Sequence, residues 1–198
     1  MRKFSDKLSK LTTVTLLDKA KNLMRRDEKE QQLTSYSFML KFAQRVKKDL
    51  DKIALIGLAH MAYGWMPTMI RHIRSDFNLA VWKKKIEKGS LEKDFLEEVM
   101  ALTNDSIVGT SKLLHFLNPE MYPIYDSKVY TSITNGDKHN LSKDIDNFVE
   151  YSERLRDFAK YNKSDIAIIR KILVEKDYIP QDSSDIRVLE ACLYASAK

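Results

Sequence analysis

The chain has 198 residues, 43% of them hydrophobic, which fits one domain with a buried core. Its single cysteine, Cys192, excludes a disulfide framework and most thiolate metal sites, and its four histidines show no paired ligand spacing. A net charge of +6 and a pI of about 9.2 suit a phosphate-binding surface without requiring one. Only 5 glycines, 4 prolines and little strand-type alternation favour an all-α fold.

The first part of the chain predicts three helices. Apolar residues recur at three-residue spacing between positions 5 and 26, which predicts one helix there. The mixed-charge run 25–30 predicts a solvated linker. A second helix follows Thr34 or Ser35, and a strongly apolar helix covers 50–62. The predicted inward face of the second helix consists of Phe38, Leu40, Phe42 and Val46.

The middle of the chain predicts two more helices on either side of a turn. A helix over 67–88 carries a basic run near Trp82 and ends at Gly89. Ser90 then caps a helix over 91–103, in which apolar residues recur at helical spacing. The basic run either holds a phosphate backbone or forms an ordinary solvated face.

Residues 104–133 predict two helices joined by an ordered turn. The first has an apolar face and stops before Pro119, because proline disfavours helical geometry in the residue before it. The segment 123–125 is then expected to be extended. Asp126 stands where the next helix begins and is predicted to be its N-cap, a role that aspartate has in many proteins without any catalytic function.

The C-terminal part predicts three further helices. The first is long and covers about 141–160. The second is capped by Ser164, and the last is capped by Asp182 or Ser184. Cys192 is expected on the buried side of the last helix.

Three short motifs lie close together in the central region. They are Gly109-Thr110-Ser111-Lys112, His115-Phe116 and Pro123-Ile124-Tyr125-Asp126-Ser127-Lys128-Val129. Together they resemble the helix-hairpin-helix DNA glycosylases, nearest the 8-oxoguanine DNA glycosylase branch. The resemblance implies an all-α, two-lobed fold in a single domain over 1–198. It also implies a cleft between a lobe formed by the two termini and a lobe around 90–135.

The sequence departs from the family pattern in two ways. The usual Leu-Pro-Gly-Val-Gly hairpin is absent, and 104–109 stands in its place. The interval from Lys112 to Asp126 is shorter than the family shows. If His115 is the anchor of the alignment, the position of the family's lysine falls on Ser111, one residue before Lys112. Asp126 therefore matches the family more securely than Lys112 does.

The resemblance implies roles for particular residues. The catalytic residues would be Asp126 and Lys112, and the alternative for Lys112 is a solvated lysine at a helix start. The pocket for an extruded base would contain Tyr63, Trp65, Met66, Tyr125 and His115. The alternatives are that the segment 63–67 is a packed helix corner, that His115 is a hydrogen-bonded core histidine and that Tyr125 packs in the core. The DNA-binding residues would be Gly109, Thr110, Ser111 and Lys128. Independently of the resemblance, Arg71, Arg74, Lys83 and Lys84 are also predicted to bind DNA, because basic residues interleaved with aromatic ones can hold a phosphate backbone.

The expected activity is excision of a base from double-stranded DNA by a monomeric enzyme with no cofactor and no metal. A carboxylate near C1′ stabilises the charge that develops on the sugar, and a neutral lysine amine would add strand cleavage through a Schiff base. The base could be oxidised guanine, or a bulkier base such as phage DNA carries, which would indicate a role in defence. The alternatives are a non-catalytic module on a glycosylase scaffold that binds DNA or a protein, and a helical protein in which Asp126 is only a cap. No segment resembles a signal peptide or a membrane span, so we expect a cytoplasmic protein.

Overall fold

The computed structural model describes residues 2–25, 31–64, 69–71, 76–137 and 139–197, and throughout these ranges the regular structure is helical. This confirms the all-α class. The helices are Arg2–Ser9 (α1), Thr13–Lys21 (α2), Gln31–Lys47 (α3), Lys52–Gly64 (α4), Leu79–Lys88 (α5), Lys93–Leu102 (α6), Ile107–Leu117 (α7), Ser127–Thr134 (α8), Ile145–Tyr161 (α9), Lys163–Glu175 (α10) and Asp185–Ala195 (α11). None of these helices is both long and apolar enough to cross a bilayer.

The prediction of one helix over 5–26 is wrong, because the chain turns a corner between α1 and α2. Thr12 caps α2 by accepting a hydrogen bond from the Thr15 amide at 3.2 Å, and the Thr15 hydroxyl accepts one from the Thr12 amide at 3.0 Å. This reciprocal capping box begins a new helix. Leu11 lies buried in the corner while Val14 is exposed, so the apolar spacing continued across a helix boundary.

The predicted inward face of α3 is also wrong in part. Phe38 and Phe42 are exposed, whereas Tyr36 and Ala43 are buried. Apolar residues occur on several sides of this helix, and the side that packs against α7 and α4 is the one that becomes buried.

The prediction of a helix over 67–88 is wrong for the described residues before Leu79. Residues 69–71 and 76–78 are not helical, while 65–68 and 72–75 lie outside the described residues. The helix α5 begins only at Leu79, where the Asn78 side chain accepts hydrogen bonds from the next helical amides. Trp82 is buried against Phe77, with ring centroids 4.3 Å apart, and donates to Glu98 rather than facing the lysines beside it.

The turn after α5 has the predicted glycine. Gly89 ends the helix with a φ of 68°, and a side chain there would collide with Met121. Ser90 does not cap the next helix, because α6 begins at Lys93 and the Ser90 hydroxyl accepts from the amide of Glu92, the residue before that helix.

The C-terminal helices begin a few residues away from some of the predicted positions. The long helix α9 begins at Ile145 rather than 141. Ser164 lies inside α10, which follows Asn162, so the predicted cap is wrong. Ser184 caps α11 by accepting from the Arg187 amide at 3.1 Å, and Cys192 is buried as predicted.

The helices pack in two sets. In one set α7 packs against α3, α4 and α6. In the other, α8 packs against α1 and α11, while α2 packs against α10 and α11. The N-terminal helices therefore lie against the C-terminal ones, and the connection between α7 and α8 passes from one set to the other.

Candidate functional site

Asp126 begins α8 directly after the connection from α7. Its backbone is extended, with φ −143° and ψ 179°, and its Oδ1 accepts a hydrogen bond from the Val129 amide at 3.0 Å. This confirms the predicted N-cap. Its side chain is half-buried and reaches solvent, so the cap does not withdraw the carboxylate into the interior.

The connection that presents Asp126 is fixed by buried hydrogen bonds. The Ser111 hydroxyl accepts from the Tyr125 amide at 3.1 Å. The Tyr125 hydroxyl donates to Asp144 at 3.2 Å, and the Tyr151 hydroxyl donates to the Ile124 carbonyl at 3.3 Å. Both Ser111 and Tyr125 are fully buried. Three different helices or loops therefore hold the two residues before Asp126 in place.

Asp126 opens into a cleft of about 540 Å³ where the two helix sets meet. Four of the residues predicted for the site line it, namely Asp126, Lys112, Tyr63 and Lys128. Its other lining residues are Asn104, Ser106, Val108, Ser127, His139, Asn140, Leu141, Ser142 and Tyr194. The lining therefore combines cationic, hydroxyl and amide side chains with the Asp126 carboxylate, an imidazole, two apolar side chains and two tyrosines. Burial raises the pKa of one of these tyrosines, Tyr63, to about 12, so its phenol is neutral.

Lys112 forms part of the cleft wall although most of its side chain is covered. It is 8% exposed, and this burial lowers the pKa of its amine. The negative charges of Asp126 and Glu190 act on that pKa in the opposite direction. Ser111 does not line the cleft, because its hydroxyl is bonded to the Tyr125 backbone. Of the two candidates for the lysine position, Lys112 is the one beside Asp126 in the cleft.

The predicted phosphate-binding segment at the start of α7 lies inside the fold. The amides of Gly109 and Thr110 both donate to Ser106, and the Thr110 hydroxyl pairs with that of Thr103 at 2.7 Å. A side chain at Gly109 would collide with the Tyr63 ring, so this glycine allows α4 and α7 to approach closely. Gly109, Thr110 and Ser111 are all buried and have structural partners.

Two residues predicted for the base pocket belong to the interior instead. His115 is fully buried, with Nε2 2.7 Å from the Tyr36 hydroxyl and Nδ1 2.7 Å from the Tyr122 carbonyl. Its burial, together with the charge of Arg187, lowers its pKa to about 3, so the ring is neutral. Tyr125 is also fully buried. Trp65 and Met66 lie outside the described residues.

The predicted cationic residues are dispersed. Arg71 is exposed near the cleft, since its amide donates to the side chain of Asn104, which lines the cleft, at 2.8 Å. Lys83 and Lys84 lie on α5 and do not line the cleft. Lys128 does, with Nζ 4.4 Å from the Tyr194 ring centroid. Arg74 lies outside the described residues.

The helix α11 contributes two charged residues that the sequence patterns did not predict. Arg187 and Glu190 are fully buried and form an ion pair inside the protein. The charges of Asp126 and Lys112 both act on Glu190, whose pKa burial raises to about 7. A detectable signal was present, because two opposite charges three residues apart stand on a helix whose other residues from 186 to 193 are apolar.

Comparisons with protein-family models, with curated proteins and with solved structures found no significant match to this chain. Across the described residues, no group of three or more histidine, cysteine, aspartate or glutamate side chains is arranged to hold a metal ion. The arrangement in the cleft can nevertheless bring a carboxylate and an amine of lowered pKa against the same ligand, with a second cation nearby.

Proposed function

We propose that the protein is a DNA glycosylase that turns a modified base out of the duplex and cleaves its bond to deoxyribose. The observation that carries the proposal is the meeting of Asp126 and Lys112 in one open cleft. They come from consecutive helices whose connection is fixed by buried hydrogen bonds. The resemblance of the same segment to the helix-hairpin-helix glycosylases adds to the proposal.

Asp126 would supply electrostatic stabilisation. Cleavage of an N-glycosidic bond develops positive charge on the sugar ring, and a carboxylate held beside C1′ lowers the energy of that state. Such a group is most effective when it does not have to reorganise during the reaction. The N-cap hydrogen bond and the fixed turn before it hold the Asp126 carboxylate in place while its side chain reaches the cleft.

Lys112 would supply a nucleophile. Its neutral amine forms a bond to C1′ while the base leaves with the electron pair of the glycosidic bond. Opening of the sugar ring then gives a Schiff base, from which elimination breaks the DNA strand. The reaction needs a neutral amine, and burial lowers the pKa of Lys112 in that direction.

Cationic residues would hold the DNA. Lys128 lines the cleft two residues after Asp126 in the chain. The backbone of Arg71 is hydrogen-bonded to Asn104, which also lines the cleft. With a net charge of +6, the protein has the electrostatic balance that favours binding to phosphates. The base would be oxidised guanine or a bulkier modified base, and a cleft of about 540 Å³ has room for either.

Base release from a panel of modified duplexes tests the proposal. Each duplex would carry one modified base, from 8-oxoguanine to pyrimidines with bulky substituents at C5, and mass spectrometry would identify any free base. We expect the wild type to release at least one base and Asp126→Asn to release none within the time in which the wild type completes the reaction, because its rate should be at least about 100-fold lower. Asp51→Asn is the matched control, because Asp51 also caps a helix, α4, by accepting from the Ala54 amide, yet it lies outside the cleft.

The same samples distinguish the alternative. If the wild type binds the duplexes with an affinity that Asp126→Asn leaves unchanged and releases no base from any of them, the protein is a non-catalytic DNA-binding module. Treatment with borohydride tests Lys112 separately, since a trapped protein–DNA adduct should form with the wild type and disappear in Lys112→Met.

A further inference from the structure

The helix α11 places a charged pair behind the wall of the cleft. Arg187 and Glu190 are 2% and 0% exposed, respectively, and pair with each other. The Arg187 guanidinium also lies over the Tyr36 ring, 4.2 Å from its centroid. A buried ion pair costs a great deal of desolvation and is often no more stabilising than apolar residues of the same size. Its presence beside a candidate active site therefore calls for a reason other than stability.

The Glu190 carboxylate is only partly satisfied by this pair. Its Oε2 receives the Arg187 hydrogen bond, whereas Oε1 is buried and meets no hydrogen-bond partner among the described residues. Buried polar atoms without a partner are uncommon in folded proteins. Among the described residues four buried side-chain atoms lack a partner, on Arg154, Arg156, Arg187 and Glu190, and two of the four therefore belong to this ion pair.

The position of Glu190 follows from its helix. Tyr194 stands four residues later, on the same face of α11, and lines the cleft together with Lys128. The helix α11 packs against α8, the helix that Asp126 caps. Glu190 therefore lies about one turn along α11 from the cleft, on the side that faces it.

The ionisable groups around Glu190 come from several elements. On α11 itself the group is Arg187, and the charges of Asp126 at the start of α8 and Lys112 on α7 act on it as well. Two buried phenols, Tyr151 on α9 and Tyr36 on α3, also experience its charge. Lys112 is influenced in turn by Asp126 and Glu190.

We propose that Glu190, held by Arg187, is a positioning residue that fixes the ionisation of the Lys112 amine from behind the cleft wall. An ionised Glu190 favours the ammonium form of Lys112, and a protonated Glu190 favours the neutral amine. The effect of this coupling on catalysis rests on the proposed function, because only a neutral Lys112 would attack C1′. The coupling itself is a property of the protein without DNA.

A titration of Lys112 tests the coupling directly. The ¹³Cε resonance of Lys112, identified by its loss in Lys112→Met, would be followed with pH in the wild type and in Glu190→Gln. Glutamine keeps the shape and an acceptor for Arg187 but removes the negative charge. We expect the Lys112 midpoint to move to lower pH by about half a unit or more. The matched control is Glu175→Gln, an exposed site on α10, which should leave the midpoint unchanged.

Coupling between two sites is reciprocal, so a second variant gives the same information if Glu190→Gln does not fold. Lys112→Met removes a cation that acts on Glu190, so the carboxyl resonance of Glu190 should titrate at higher pH than in the wild type. Equal Lys112 midpoints in the wild type, Glu190→Gln and Glu175→Gln would overturn the inference. An unchanged Glu190 midpoint in Lys112→Met would overturn it as well.

The activity assay separates this inference from the proposed function. If a substrate duplex is found, the acid side of the pH profile for borohydride trapping should move to lower pH in Glu190→Gln, whereas partial unfolding would lower the whole profile without moving it. A shifted Lys112 midpoint supports the coupling even if no duplex loses a base, and in that case only the glycosylase assignment fails.

Discussion

At the scale of single residues, the polar side chains of the central region lie in two different places, the cleft and the interior. Asp126 and Lys112 reach the cleft, whereas His115 and Ser111 are buried and satisfied by neighbouring backbone or hydroxyl groups. Residue type and spacing do not predict which of the two places a given polar side chain occupies. For Lys112, Ser111 and His115 the difference depends on which side of α7 faces the cleft, and that is decided by the helices that pack around α7.

His115 gives a prediction about pH. Burial lowers its pKa to about 3 from the ordinary 6.5, so between these values the unfolded chain binds a proton that the folded protein does not. The free energy of unfolding therefore falls as the pH is lowered through this range, by about 1.4 kcal/mol for each unit of pKa difference that is titrated. His115→Gln removes this contribution, so we expect the advantage of the wild type over the variant to shrink between about pH 7 and about pH 4.

Urea unfolding of the two proteins at several pH values measures the effect. Glu190 has a raised pKa and so contributes the opposite slope, a loss of stability as pH rises from about 4.5 to about 7, but it does so in both proteins and cancels in the difference. A difference in unfolding free energy that is constant with pH would show that His115 titrates normally.

At the scale of helices, local signals predicted some boundaries well and others badly. The start of α8 at Asp126 and the end of α5 at Gly89 were predictable because capping groups act within a few residues. The corner between α1 and α2 was not, because Leu8, Leu11 and Leu16 are buried on both sides of it and continue one apolar pattern. Tertiary packing determines such corners.

In the candidate site, too, local capping signals are visible in the sequence, whereas contacts made by tertiary packing are not. Asp126 could be found from sequence because a helix start carries its own signature. Glu190 could not be assigned to the site, because its place depends on how α11 packs against a helix that lies about sixty residues earlier in the chain. The predicted roles of Gly109 and Thr110 in binding phosphate overlooked that the start of α7 is covered by Ser106 and by the Tyr63 ring.

Gly109 tests the packing of α4 against α7. Gly109→Ala places a methyl group against the Tyr63 ring, and overpacking of this kind should lower the free energy of unfolding by about 1–3 kcal/mol. Gly57→Ala is the control, because a side chain there meets no atom within 4 Å, and alanine in a helix should raise stability by about 0.5–1 kcal/mol. Chemical denaturation of both variants measures the two effects, and equal changes would contradict the close approach at Gly109.

At the scale of the whole molecule, the cleft lies where the two sets of helices meet. The α7–α8 connection crosses between them, while contacts such as the hydrogen bond from the Cys192 thiol to the Leu16 carbonyl hold the two ends of the chain together. A site at such a junction is bounded on both sides by packed helices. The net charge of +6 then favours an anionic partner, with Lys128 already in the cleft.

The dependence of DNA binding on salt tests which lysines contact the phosphates. Lys128→Gln should weaken binding and reduce the slope of log K against log salt by about 1, because one phosphate contact is lost. Lys84→Gln, on α5 and outside the cleft, should leave the slope unchanged. Fluorescence anisotropy with a labelled duplex at several salt concentrations measures both, and the reverse order of effects would place the DNA along α5 instead.

The most direct test of the central claim is the single-turnover rate of base release by Asp126→Asn, measured at saturating protein alongside the affinity for the same duplex. We expect the rate to fall by about 10²–10³-fold while the affinity is unchanged, because under the proposed mechanism the Asp126 carboxylate would act on the charge that develops in the reaction rather than on the bound duplex. Base release by Asp126→Asn at the wild-type rate would contradict the assignment of this cleft as a glycosylase active site.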